Sequence, residues 1–210
     1  METEREIQSI LAELDRLYPD AAPSLEFSNP LELLISTILS AQCTDERVNQ
    51  VTKKLFCKYR SLEEFAQADL EVLEQDIRST GFFRNKARSI RKCCQAILEQ
   101  YGGKVPSNFD NLVKLPGVGR KTANVVLGGA FGIPSVIVDT HASRVSQRLG
   151  LTQNTDAHKI EFDLRERIPV SKWTTFSHQL IQHGRRICTA RKPKCLKCSL
   201  RKWCRYFRLS

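Results

Sequence analysis

Apolar residues recur three or four positions apart along almost the whole chain, which is the spacing of one face of an α-helix. The first stretch places Ile7, Ile10, Leu11 and Leu14 on such a face. Only Ser-Val-Ile-Val at 135–138 has the composition of a strand. The pattern therefore predicts an all-α fold.

Capping residues, prolines and glycines mark where the helices begin and end. Thr44 or Asp45 can cap a helix towards Tyr59, and Ser-Leu-Glu-Glu at 61–64 predicts a capping box. Tyr-Gly-Gly at 101–103 ends a long basic helix. The predicted helices lie near residues 7–17, 31–41, 44–59, from 62 onward, 70–77, 84–100, 120–131, 140–149, 156–167 and 171–187.

The composition is that of a globular protein, with 210 residues, 41% apolar and 27% charged. Such a chain is long enough for one domain or for two small lobes. The longest apolar run, residues 31–39, is about half of a membrane span, and the acidic segment 1–6 is unlike a signal peptide. We therefore expect a cytoplasmic, prokaryotic protein without membrane contact.

The net charge of +10 is confined to the C-terminal end of the chain. Ten of the 33 Lys and Arg residues, and none of the 23 Asp and Glu residues, follow position 184. A field polarised in this way suits a polyanion or an anionic membrane surface. A solvated basic tail is the alternative, but the cysteines and aromatic residues of this segment favour an ordered structure.

Four of the eight cysteines fall within 17 residues, with the spacing C-x6-C-x2-C-x5-C. They are Cys188, Cys195, Cys198 and Cys204. Four thiolates suit either a tetrahedral zinc ion or a [4Fe–4S] cubane, although zinc ribbons usually bring two C-x2-C pairs and this loop has one. A redox or catalytic role is the third alternative. The other four are predicted to be small buried apolar residues: Cys43, Cys57, Cys93 and Cys94.

Leu-Pro-Gly-Val-Gly at 115–119, followed by Arg120 and Lys121, lies between two predicted helices. Glycines allow a tight turn and a close backbone approach, and N–H groups at a helix start bind phosphate oxygens. A plain helix–helix turn is the alternative, but the full motif resembles the helix–hairpin–helix DNA-binding element. By its position alone, Lys121 can serve either as a phosphate ligand or as an amine nucleophile.

Asp139 ends the apolar run at 135–138 and begins a helix. Its simplest role is that of an N-cap. A carboxylate in this position can also stabilise a cationic sugar or relay protons, and the two roles are compatible. His141 is a further acid–base candidate, although a structural, hydrogen-bonded histidine is the simpler interpretation.

These motifs, taken together and in this order, resemble the endonuclease III family of helix–hairpin–helix base-excision glycosylases. Further matches are Leu-Ser-Ala-Gln-Cys-Thr-Asp at 39–45, Gly-Phe-Phe-Arg-Asn-Lys-Ala at 81–87 and His-Gly-Arg at 183–185. The resemblance implies a two-lobed fold with residues 22–133 in one lobe, residues 1–21 and 134–210 in the other, and a cleft between them. It also implies that the loop at 188–204 holds a [4Fe–4S] cluster.

The resemblance implies chemistry as well, because the family's nucleophilic lysine falls on Lys121 and its catalytic aspartate on Asp139. The expected protein is a monomeric DNA N-glycosylase and AP lyase. It would remove oxidised pyrimidines from double-stranded DNA and nick the strand 3′ of the abasic site. Flipping the damaged nucleotide out of the duplex would expose its anomeric carbon.

The expected DNA contacts also follow from the resemblance. Gln42 would fill the space left by the flipped base, and Phe82 would wedge into the opposite strand. Family members often have Leu at the position of Phe82, which leaves the opposite-base preference open, and a buried core position is the simpler interpretation of each residue. The expected backbone and phosphate contacts come from the hairpin and the cysteine loop: Gly117, Val118, Gly119, Arg120, Arg191, Lys192 and Lys194.

Three other classes of protein share part of this pattern. Mismatch adenine glycosylases resemble this chain in their cluster but normally lack the lysine at position 121 and carry a further C-terminal domain. Thymine and uracil mismatch glycosylases usually replace that lysine too. A DNA-binding protein without catalysis would not need Lys121 and Asp139 together.

Overall fold

A computed structural model describes residues 3–209. Within these residues it contains twelve α-helices joined by turns and short 3-10 helices, and no strand, which confirms the all-α prediction. No helix of the described part is long and apolar enough to cross a membrane.

The helices begin and end close to the predicted positions. Ser61 caps α4 as predicted, but the Glu64 carboxylate accepts from the backbone N–H of Arg60 rather than of Ser61, so the predicted capping box is incomplete. The helices are α1 (Glu4–Leu17), α2 (Pro30–Leu39), α3 (Asp45–Lys58), α4 (Leu62–Ala66), α5 (Leu70–Asp76), α6 (Phe83–Tyr101), α7 (Phe109–Leu112), α8 (Arg120–Ala130), α9 (Thr140–Leu149), α10 (Ala157–Arg167), α11 (Trp173–Arg186) and α12 (Arg205–Arg208).

The chain divides into two compact units. The first combines the described residues up to Ala22 with those from Pro134 onward, and the second spans Pro23–Ile133. Each unit is helical and has its own buried apolar side chains.

The second unit, Pro23–Ile133, contains α2 to α8. Helix α2 packs on α8, and α4 and α5 pack on α6. Helix α2 is buried on nearly all sides from Leu33 to Leu39, and five of these seven residues are apolar. The two polar ones, Ser36 and Thr37, have small side chains, and the Thr37 hydroxyl donates to the carbonyl of Leu33 within the helix. A helix that is apolar all round belongs in a core.

The first unit contains α1 and α9 to α12. Helices α9 and α11 pack closely, because Gly184 has no side chain: a Cβ there would lie 2.9 Å from the Cβ of His141. The core of this unit also includes Leu200 and Cys204 from the cysteine loop, with Cys188 and Cys198 packed against it. The loop is therefore part of the core and not a solvated tail.

The run at 135–138 has no regular secondary structure and does not form the strand that its composition suggested. Its backbone hydrogen bonds go to side chains of α11. The N–H of Ser135 donates to the Thr174 hydroxyl at 3.2 Å, and the N–H of Ile137 donates to the Ser177 hydroxyl at 2.9 Å. Buried backbone groups require partners, and side chains provide them here.

The prediction for the four scattered cysteines is correct for two of them. Cys93 and Cys94 are buried in α6, and burial raises the pKa of Cys93 to about 12, so both thiols stay protonated. Cys43 is half-buried. Cys57 is exposed, and its thiol donates to the carbonyl of Lys53 at 3.2 Å.

Candidate functional site

The segment between α7 and α8 forms a tight turn that depends on Gly117. Its φ of 78° lies in the left-handed region, which favours glycine. A Cβ at this position would stand 2.7 Å from the Cβ of Ser89 on α6. Glycine is therefore required here for two independent reasons, its backbone conformation and its contact with α6.

Gly119 is the N-cap of α8 and supplies no side chain to cap that helix. The N–H groups of Gly117 and Gly119 have no hydrogen-bond partner within residues 3–209. The guanidinium of Arg120 lies over the ring of Phe109, 4.5 Å from its centroid. Open N–H groups at an uncapped helix start form a site that suits an anion such as a phosphate.

Val118, between these glycines, has a different environment. Its side chain is buried, and its N–H donates to the carbonyl of Leu115 at 3.1 Å. The side chain and N–H of Val118 are thus used within the protein, and this residue holds the turn against the core.

Lys121 is an exposed residue in the first turn of α8, directly after the hairpin turn. Its amine therefore projects from the same end of the helix that presents the open N–H groups. A phosphate bound by those N–H groups would lie near this amine.

Asp139 caps α9, as the sequence predicted. One carboxylate oxygen, Oδ1, accepts from the N–H of His141 at 2.8 Å and from the N–H of Ala142 at 2.7 Å. The other oxygen, Oδ2, makes no hydrogen bond within the described residues. The cap uses one oxygen, so the other remains available for chemistry.

His178 on α11 is a neighbour of Asp139 that the sequence did not reveal. It is buried, and its Nε2 has no hydrogen-bond partner in the described part of the chain. Burial lowers the pKa of His178 to about 4, although the charge of Asp139 opposes this. His141, by contrast, receives a hydrogen bond at Nδ1 from Arg144, 3.2 Å away, which agrees with a structural role.

Gln42 and Phe82 share an unusual backbone conformation. Gln42 has a φ of 53° and Phe82 a φ of 48°. Few residues with a Cβ adopt the left-handed region, and such strain concentrates at functional sites. Gln42 is exposed and the side chain of Phe82 is 63% exposed, so the core interpretation does not hold for either residue.

The basic residues of the cysteine loop are also exposed: Arg191, Lys192 and Lys194. Lys192 has a φ of 52° and is the third such residue in the described chain besides Gln42 and Phe82. The Thr189 hydroxyl holds this turn by donating to the carbonyls of Arg191, at 2.9 Å, and Lys192, at 3.3 Å.

The four loop cysteines line one pocket: Cys188, Cys195, Cys198 and Cys204. None forms a disulfide. Four thiols that line one pocket form the donor set of a tetrathiolate metal site, which both a zinc ion and a [4Fe–4S] cubane use.

Helix α9 holds the loop in place through two arginines. Arg148 donates to the sulfur of Cys188 at 3.3 Å, to the carbonyl of Thr189 at 2.8 Å and to that of Ala190 at 3.1 Å. Arg144 donates to the carbonyl of Cys188 at 3.0 Å. A hydrogen bond from a cation to a thiolate ligand favours the charged form that binds metal.

A second chain of hydrogen bonds runs from Tyr18, the residue that follows α1, to the pocket lined by the four loop cysteines. His183 lies with Nδ1 3.0 Å from the hydroxyl of Tyr18 and Nε2 3.5 Å from the sulfur of Cys198. Burial lowers the pKa of His183 to about 4, so the imidazole is neutral near pH 7. A thiolate only accepts, so Nε2 carries the proton and Tyr18 donates to Nδ1. The donor set and these hydrogen bonds fit a [4Fe–4S] cluster.

We predict that Gly117 and Gly119 respond differently to substitution by alanine. Gly117→Ala places a Cβ on a left-handed backbone and against Ser89, so the free energy of unfolding should fall by about 1–3 kcal/mol. Gly119→Ala meets nothing within 4 Å and has a φ of −93°, so its cost should stay within about 1 kcal/mol. Urea unfolding followed by circular dichroism measures both, and equal losses would contradict the prediction.

Two family models match the chain. Residues 35–170 match the HhH-GPD superfamily base excision DNA repair protein model. Residues 188–204 match the iron–sulfur binding domain of endonuclease III, and these bounds are the first and last of the four cysteines. The predicted [4Fe–4S] cofactor is confirmed at the level of the family.

Several relatives are similar over nearly their full length. Endonuclease III of Synechocystis sp. is 53% identical over 93% of this chain and 90% of its own. A solved non-covalent endonuclease III–DNA complex is 48% identical, with a TM-score of 0.95 over 100% of this chain and 98% of that chain. A trapped endonuclease III–DNA covalent intermediate, an estranged-adenine complex, has the same identity and TM-score, with 99% of that chain covered.

The agreement covers both the helical body and the cysteine loop, and it confirms the fold that the resemblance implied. The curated relatives at this identity are named endonuclease III, and the base-excision repair model matches residues 35–170 of this chain. The chain therefore belongs to the endonuclease III family of base-excision DNA glycosylases with AP lyase activity.

Proposed function

We propose that Lys121 is the nucleophile and Asp139 the charge-stabilising carboxylate of this glycosylase, and that its substrates are oxidised pyrimidines and abasic sites in double-stranded DNA. The observation that carries the proposal is the position of Lys121. It is an exposed amine in the first turn of an uncapped helix, beside N–H groups that suit a DNA phosphate.

The reaction begins with a damaged nucleotide outside the base stack, because the anomeric carbon C1′ is shielded in a paired nucleotide. The neutral amine of Lys121 attacks C1′. A bond forms between the lysine nitrogen and C1′, the glycosidic bond breaks, and the base leaves with the electron pair and takes up a proton.

The sugar ring then opens and yields a Schiff base between Lys121 and C1′. Loss of a proton from C2′ and departure of the 3′ phosphate oxygen from C3′ break the strand on the 3′ side of the lesion. Water finally hydrolyses the Schiff base and returns the lysine amine. A covalent link of this kind is consistent with the relative that was solved as a trapped covalent intermediate with DNA.

Asp139 acts through its Oδ2 atom, since Oδ1 is occupied by the N–H groups of His141 and Ala142. An ionised carboxylate offsets the positive charge that develops on the sugar as the base departs. It can also assist proton transfers at the sugar. The two hydrogen bonds to Oδ1 hold the group in a fixed orientation, which preserves its geometry during the reaction.

Gln42 and Phe82 contact the DNA at the flipped nucleotide. The amide of Gln42 both donates and accepts hydrogen bonds, so it can pair with the base left without a partner. Phe82 is exposed and aromatic, and it can stack between bases of the opposite strand. Their left-handed backbone is consistent with side chains that are held outward for this purpose.

The phosphate contacts come from the hairpin and from the cysteine loop. The hairpin supplies the N–H groups of Gly117 and Gly119 together with Arg120, while Val118 supports the turn from inside. The cysteine loop supplies Arg191, Lys192 and Lys194. An iron–sulfur cluster bound by the four cysteines would fix this loop further, because the loop has only short 3-10 turns of its own.

One chain carries every residue assigned above, so a monomer has all the groups that the proposed reaction uses. It works in the bacterial cytoplasm on the DNA of the nucleoid, in keeping with its bacterial relatives. Within the superfamily, the lysine at position 121 favours the lyase-competent class over the mismatch-specific glycosylases, which usually lack it.

Borohydride trapping tests the role of Lys121. Wild-type protein should form a covalent crosslink with duplexes that contain an abasic site or thymine glycol, because borohydride reduces the Schiff base to a stable amine. Lys121→Ala should form none. The matched control is Lys159→Ala, which removes another exposed first-turn lysine, on α10, and should crosslink like the wild type. Undiminished crosslinking by Lys121→Ala would refute the assignment.

Asp139→Asn separates the capping role from the catalytic one. Asparagine is as good an N-cap as aspartate, so the melting temperature should stay close to that of the wild type. The charge is lost, and the single-turnover rate of base release should fall by about 100-fold to 10,000-fold. An unchanged rate in a stable variant would show that Asp139 is only a cap.

Salt dependence tests the cysteine loop. Replacing Arg191, Lys192 and Lys194 together by Ala should flatten the slope of log K against log[salt] by about two to three, since each phosphate contact contributes about 0.9. Preference among lesions should not change. The control triple replaces Lys53, Lys54 and Lys159, which are exposed and outside the hairpin and the loop. A slope that changes equally in both triples would argue against a specific contact.

A further inference from the structure

Lys86 on α6 is a buried lysine with no acidic partner. Its side chain is 5% exposed, and within residues 3–209 it forms no ion pair. Its Nζ donates to two backbone carbonyls, that of Leu39 at 2.7 Å and that of Thr80 at 2.8 Å. Burying an ammonium group without a carboxylate is costly, so its position calls for a physical explanation.

The two carbonyls that bind Lys86 belong to segments far apart in sequence. Leu39 is the last residue of α2, and Gln42 follows three residues later. Thr80 ends a 3-10 helix, and Phe82 follows two residues later. One ammonium group therefore joins the two segments that carry the exposed, left-handed Gln42 and Phe82.

The backbone of Lys86 strengthens this connection. Its N–H donates to the carbonyl of Phe82 at 3.1 Å, so Lys86 holds the chain on both sides of Gly81. On the other segment, the N–H of Cys43 donates to the carbonyl of Ser40 at 3.1 Å and closes the turn around Gln42. Both turns are thus closed locally, and Lys86 fixes one relative to the other.

The acceptors also explain why a cation is tolerated here. The carbonyl of Leu39 lies at the C-terminal end of α2, the negative end of the helix dipole. Hydrogen bonds from a charged donor are roughly twice as strong as neutral ones. An ammonium group has three donors and no acceptor, so it can bridge two carbonyls that an apolar side chain would leave unpaired.

We propose that Lys86 is a positioning residue, whose buried ammonium group sets the distance between Gln42 and Phe82 before DNA is bound. The inference rests on the proposed DNA contacts of these two side chains. One enters the space of the flipped base and the other enters the opposite strand, so their spacing must match that of the duplex. A displacement of about 1 Å at such a site can reduce a rate by about 100-fold.

Lys86→Met tests the proposal, because methionine fills similar space without a donor. We expect the single-turnover rate of crosslinking to an abasic-site duplex to fall by about 10-fold to 100-fold. Affinity for an undamaged duplex should change by less than about twofold, since the hairpin and the cysteine loop provide the phosphate contacts. Lys92→Met, at an exposed lysine of the same helix, is the matched control and should crosslink at the wild-type rate.

A double-mutant cycle separates positioning from a general loss of structure. In a Gln42→Ala, Phe82→Ala background there is nothing left to position, so adding Lys86→Met should change the rate by less than about threefold. An equal loss in both backgrounds would overturn the proposal. If Lys86→Met does not fold, Lys86→Gln, which loses the charge but keeps an amide donor group, enters the same cycle with the same criterion. A wild-type protein that fails to crosslink would instead refute the proposed function.

Discussion

Charge-assisted hydrogen bonds from basic side chains to backbone carbonyls hold the irregular segments of this protein. Lys86 binds the ends of two segments in the Pro23–Ile133 unit, while Arg144 and Arg148 bind the carbonyls of the cysteine loop in the other. Segments without regular structure have few backbone partners of their own, so their carbonyls need external donors. A long cationic side chain reaches several carbonyls at once and is worth more per bond than a neutral donor.

Helix α9 links the proposed chemistry to the cluster within one unit. The Asp139 carboxylate caps its start, and Arg148 in its last turn reaches Cys188 and the loop carbonyls. Because a helix is stiff, the cluster loop and the carboxylate are held at opposite ends of one rigid element. The cluster can therefore matter for catalysis without touching the substrate, by fixing the helix that presents Asp139.

The functional segments also share a backbone signature. Gln42, Phe82 and Lys192 are the non-glycine residues with positive φ in the described chain, and all three are proposed DNA contacts. A left-handed residue with a Cβ is strained by about 1–3 kcal/mol and persists only where surrounding contacts enforce it. The N–H of Cys43 closes the turn at Gln42, the N–H of Lys86 bonds the carbonyl of Phe82, and the Thr189 hydroxyl holds the turn at Lys192.

Much of this protein was determined by its sequence alone. Helical spacing and caps located the helices to within a few residues, because both depend on neighbours along the chain. The metal-binding loop and the Gly-Val-Gly turn were predictable for the same reason, since their residues are close together in the sequence. The choice of lysine as nucleophile, and of iron over zinc, came from the family resemblance and not from spacing.

Only the tertiary structure decided which side chains were exposed, buried or joined across the chain. Phe82 is a large apolar residue of the kind usually found in a core, yet its side chain is exposed. Cys57 was predicted to be buried and is exposed, whereas the charged Lys86 is buried. The run at 135–138 has the composition of a strand but bonds to side chains of α11, about 40 residues away. The burial of a side chain and the partners of a backbone segment depend on residues distant in sequence, so local propensity does not predict them.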